Sequence, residues 1–134
     1  MEAKEFRQKL KDEISAEEAA ALRSGSGLYI SNFNRNVCLR LLEGDSSYTG
    51  DVPLEKAEAL SAELSAYLNE FMQDHPEGHK WIVLSCLYLT FVEHLPMHPQ
   101  AAAKWVEKDG RYFCPSMAGD SLTCSCCVCE GMKY

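Results

Sequence analysis

The sequence predicts a mainly all-α chain, about five helices in one bundle, closed by a C-terminal β-hairpin or knuckle that a metal ion pins in place. Three observations carry this expectation. Apolar residues recur at helical spacing through residues 1–95. Pro96 and Pro99 then forbid a continued helix, and Asp109-Gly110 follows between aromatic and apolar residues as a hairpin signal. Five of the seven cysteines, Cys114, Cys124, Cys126, Cys127 and Cys129, crowd into the last stretch, too densely for core packing alone.

Ala3, Phe6, Leu10 and Ile14 recur between charged residues, which predicts a short amphipathic helix lying on the body of the protein. Ser15 with Glu18 three residues on is a capping box. It opens a second helix through Ala19, Ala20 and Leu22 that stops at Ser24-Gly25-Ser26-Gly27, a hinge or loop. Ile30, Phe33, Val37 and Leu41 form the third stripe, with Gly44 as its C-terminal cap and a polar turn over residues 45–50. Asp51 is placed to cap a fourth helix, with Pro53 in its first turn and Ala57, Leu60, Leu64, Leu68 and Phe71 along one face. Asp74 to Gly78, with Pro76, ends that helix.

From Lys80 to Leu95 the pattern is apolar nearly all round, the mark of a buried central helix. Cys38 and Cys86 fall on the third and the central helix, where a free thiol is expected to act as a small core hydrophobe. No repeat of fixed period is visible, so a solenoid is excluded. The expected organisation is a single domain, 1–134, with a helical bundle over 1–95 and a cysteine-rich metal-binding tail of the same domain over 96–134.

Twenty acidic residues against thirteen basic ones give a formal charge of -7. No Lys/Arg cluster offsets it, so nucleic acid is not expected as a partner. The most apolar run, Trp81 to Val92, falls well short of the roughly 20 residues that span a bilayer, and no membrane association is expected. The opening residues Met-Glu-Ala-Lys-Glu lack a basic and then apolar leader pattern, which predicts a cytoplasmic chain with reduced thiols.

The chemistry therefore concentrates in the tail. Cys124 with Cys127, and Cys126 with Cys129, are two interleaved Cys-x-x-Cys pairs, and in so short a loop the four sulfurs are not expected all to face one ion. One pair binds, with Cys114 as a third ligand and His98, between prolines that fix its backbone, as the fourth. Three thiolates and an imidazole suit structural zinc and leave no open position for a substrate. His94 and His98 stand four apart, but Pro96 lies between them and no Glu follows His94, so a metalloprotease pair is not expected. His94 suits a helix C-terminus, and His75 and His79 read as solvated loop residues. Nucleotide and hydrolase signatures are missing, and no catalytic residues are assigned.

Pro96-Met97-His98-Pro99, then Tyr112-Phe113-Cys114-Pro115, then a terminal Cys-x-x-Cys resemble the C-terminal signature of an uncharacterised family found mainly in methanogenic archaea. The resemblance covers about the last 55 residues and implies His98, Cys114 and one Cys-x-x-Cys as the corresponding positions. Val128 before Cys129 favours the Cys126/Cys129 register, and the additional Cys124 and Cys127 depart from the pattern. The family's function is unknown, so the resemblance implies no reaction. The expected function is that of a zinc-stabilised helical module that binds another protein. A thiolate cluster that buffers or transfers zinc or copper is the alternative, and an iron-sulfur or redox protein a further one.

Overall fold

A computed structural model describes residues 1–44, 50–93, 106–108 and 111–113. Residues 1–93 are helical, with five α-helices: α1 (Ala3–Asp12), α2 (Ala16–Ser24), α3 (Asn32–Glu43), α4 (Leu54–Phe71) and α5 (His79–Tyr88). A 3-10 turn, Pro76–Gly78, leads into α5, and a π-helical turn, Leu89–Glu93, continues from it. Two three-residue strands, β1 (Val106–Lys108) and β2 (Arg111–Phe113), pair antiparallel with Val106 opposite Phe113.

The central position of α5 follows from its composition. A helix with apolar residues on every side finds no stable orientation on a surface, so it is enclosed by its neighbours. Trp81, Leu84, Ser85, Cys86, Leu87 and Tyr88 are all buried, and the helix packs chiefly on α3, then on α4 and α1. The amphipathic helices turn their stripes inward as their spacing requires: Phe6 and Leu10 from α1, Val37 and Leu41 from α3, and Ala57, Leu60, Leu64 and Leu68 from α4. The side chain of Phe71 lies outside the described residues. Phe6 meets Phe91 of the π turn edge to face, with ring centroids 6.0 Å apart.

The helix ends are held by two kinds of device. At the start of α2 the capping box is complete: Ser15 Oγ accepts from the Glu18 amide at 3.1 Å, and Glu18 Oε1 accepts from the Ser15 amide at 3.0 Å. The same carboxylate oxygen accepts from Lys80 Nζ at 2.8 Å, tying this cap to α5. That ammonium, then the Ser15 amide, holds the Glu18 carboxyl below its ordinary pKa. At C-termini, arginines reach across from other helices. Arg35 of α3 donates to the carbonyls of Leu22 and Arg23 at the end of α2, at 2.7 and 3.1 Å. Arg7 of α1, itself buried, donates to the carbonyls of Leu41 and Gly44 at the end of α3. A cation placed there satisfies orphan carbonyls and opposes the negative end of the helix dipole.

Three local expectations are corrected, and a fourth holds in an altered form. Asp51 does not cap α4: its carboxylate accepts from the Met1 amine at 3.1 Å, and Glu2 and Asp51 form an antiparallel bridge. Pro53 takes the N-cap position of α4, with no side-chain bond, where Pro was expected inside the first turn. Ile30 precedes α3, because Ser31 caps that helix by accepting from the Asn34 amide at 3.1 Å. Gly44 does close α3, but in an extended conformation, φ -63° and ψ 152°. Its need for glycine is steric: a Cβ there would stand 2.6 Å from the Arg40 carbonyl oxygen. The central helix is also less regular than its sequence suggests, passing from α to π geometry at Leu89.

Candidate functional site

Two of the seven cysteines lie among the described residues. Cys38 on α3 and Cys86 on α5 are fully buried. Cys38 Sγ lies 3.6 Å from the Ser85 hydroxyl across the α3–α5 interface. Burial pushes its thiol up from the ordinary 9.0 to about 11, against a smaller opposing effect of the Ser85 hydrogen bond. A thiol in that state is neither a nucleophile nor a ready metal ligand. Cys38 and Cys86 are both fully buried and fill the core, as expected from their place on apolar stripes.

That protonation state makes stability depend on pH. The folded pKa lies above the unfolded one, so the contribution is complete below pH 9 and is lost as pH rises toward 11. A difference of about two pH units corresponds to about 3 kcal/mol in the limit. Chemical denaturation at pH 8 and at pH 10.5 should show this loss in the wild type and a smaller one in Cys38→Ala. Equal losses in the two proteins would contradict the assignment.

The expected metal ligands, His98, Cys114, Cys124, Cys126, Cys127 and Cys129, all lie outside the described residues, as do His94, Trp105, Pro96 and Pro99. Among the described residues no group of three or more His, Cys, Asp or Glu side chains is placed to hold a metal ion. The helical core is assembled from residues 3–92 without one. No described helix is long and apolar enough to cross a membrane.

Sequence reasoning missed a concave site. A cleft of about 610 Å³ opens between the α2–α3 connection and the α4–α5 connection. Ile30, Trp81 and Ile82 give it an apolar base, while Tyr29, Met72 and His75 stand at its exposed edge. Tyr29 and His75 are stacked, with ring centroids 3.8 Å apart and planes 15° from parallel. His75 Nδ1 also lies 3.1 Å from Glu77 Oε1. The Glu77 carboxyl is held below its ordinary pKa, first by its own backbone N–H and then by His75. His79 begins α5 and donates from Nε2 to the Met72 carbonyl. Neither histidine is therefore simply a solvated loop residue.

Gly78 explains the close approach of the two connections. A Cβ on it would stand 2.7 Å from Tyr29 Cδ1 and 3.0 Å from the Tyr29 carbonyl oxygen. Only a residue without a side chain lets the Tyr29 backbone and ring settle against the start of α5. Sequence offered no periodic signal for this, since the two connections are more than forty positions apart and neither follows a recognised motif.

No protein-family model, curated protein or solved structure matches the chain.

Proposed function

We propose that this chain is a small helical module whose cysteine-rich C-terminal segment binds one structural zinc ion, and that it serves by binding another protein. The observation that carries it is the spacing of the cysteines: Cys38 and Cys86 are buried in the core, and the other five fall within residues 114–129, closer together in sequence than packing alone calls for. His98, Cys114 and the Cys126/Cys129 pair supply the donor set, and Cys124/Cys127 is the competing pair. Their chemistry fits the ion, since three thiolates and an imidazole form a closed tetrahedral environment. Zinc there would fix the metal-pinned hairpin of the tail, and the whole chain, 1–134, would form one domain. The shared Pro-Met-His-Pro, Cys-Pro and Cys-x-x-Cys order supports kinship with the uncharacterised archaeal family. The lack of a Lys/Arg cluster and of a catalytic signature favours a protein partner over nucleic acid or a substrate, and a reducing cytoplasm is the compartment in which such thiolates persist.

X-ray absorption on zinc-loaded, anaerobically prepared protein tests the donor set. Three sulfur neighbours at about 2.3 Å and one nitrogen at about 2.0 Å are expected. Several ions per chain, bound weakly by sulfur alone and passed to an acceptor, would instead establish metal transfer. A coloured, iron-containing protein would establish a cluster.

A further inference from the structure

We propose that the cleft between the α2–α3 and α4–α5 connections is a binding site for a small aromatic amine. Its size lies within the range of small-molecule pockets, which are lined mainly by apolar and aromatic groups with a few placed polar ones. Three large hydrophobic side chains are exposed among the described residues, Met1, Tyr29 and Met72, and two of them line this one cleft. The exposed apolar surface of the body is thus gathered at a concave site, where it marks binding more than a scattered residue would.

The preference for an aromatic ring follows from the walls. Tyr29 and His75 form a preassembled stack, and stacking on a ring already held in place orders fewer groups than stacking on a free one. Met72 adds a flexible thioether that adapts to an aromatic face. The preference for positive charge follows from Asp74. Asp74 lines the cleft, is exposed, and its carboxylate has no hydrogen-bond or ion-pair partner among the described residues. The neighbouring His75 imidazole is paired with Glu77, which adds a second carboxylate on the same loop. An aromatic ring over the base with an ammonium at Asp74 satisfies both features, and the chain's net charge of -7 also favours a cation.

The test uses the full chain with its native metal content and two probes that share a ring and differ in charge: tryptamine and indole-3-propionate. In amide NMR titrations tryptamine is expected to shift Tyr29, His75, Gly78 and His79, saturating below about 1 mM, with indole-3-propionate about tenfold weaker. Asp74→Asn is expected to weaken tryptamine about threefold to fivefold, and Glu63→Gln, on the exposed side of α4, to leave it unchanged. Lack of saturation, shifts elsewhere, equal binding of the two indoles, or an Asp74→Asn protein that binds tryptamine like the wild type would each overturn the proposal.

Discussion

Trp81→Ala is expected to destabilise the fold by about 3–5 kcal/mol, a large share of the roughly 5–15 kcal/mol that a domain possesses. The side chain is 2 % exposed, stands one residue after Lys80 where α5 begins to bury itself, and closes the inner end of the cleft. Its removal withdraws the largest single apolar surface of the core and leaves a hole that neighbours on several helices cannot all fill. For a chain of 134 residues that loss corresponds to a fall in melting temperature of about 10–20 °C. Circular dichroism at 222 nm follows it best, because Trp105 complicates the fluorescence. A melt within 3 °C or so of the wild type would mean that α5 is not the element around which the others are organised.

Metal removal is expected to have the second large effect, of a different kind. Structural zinc in finger peptides carries about 10–16 kcal/mol of apparent binding free energy, enough to order a short segment of chain. Among the described residues no three potential metal ligands come together, and the buried cluster of residues 3–92 is apolar, so the helical body should outlast the ion. A strong chelator should therefore render residues 96–134 susceptible to protease while helical circular dichroism is retained. Tail cleavage that is as slow with chelator as without it would count against a metal-ordered segment. Complete loss of helicity on chelation would show that body and tail do not divide as proposed.

The helices were legible because each rests on local rules. The Ser15/Glu18 capping box and the Ala57, Leu60, Leu64 and Leu68 stripe need no knowledge of distant residues, and both are present in the structure. The burial of Cys38 and Cys86 was legible for the same reason. What the sequence hid is tertiary. Arg7 and Arg35 sit on helices where they read as ordinary solvent-facing charges, and only the assembled bundle brings them to carbonyls at the ends of α3 and α2. Asp51 has the right residue type for a cap but pairs with the Met1 amine instead, which no local pattern encodes. The cleft is the clearest case. Tyr29, Asp74 and His75 belong to two connections without periodicity, and Gly78 matters only because Tyr29 arrives against it. The expected cysteine ligand set rests on spacing alone, and it lies outside the described residues.

Metal analysis of untagged protein, purified reduced and without oxygen, tests the central claim most directly when set beside two variants. One carries serine at all five tail cysteines, and the other carries Cys38→Ala and Cys86→Ala. One zinc per chain is expected in the wild type and in the core variant, and none in the tail variant. A wild-type chain that emerges without metal and takes up none when zinc is supplied would contradict the account.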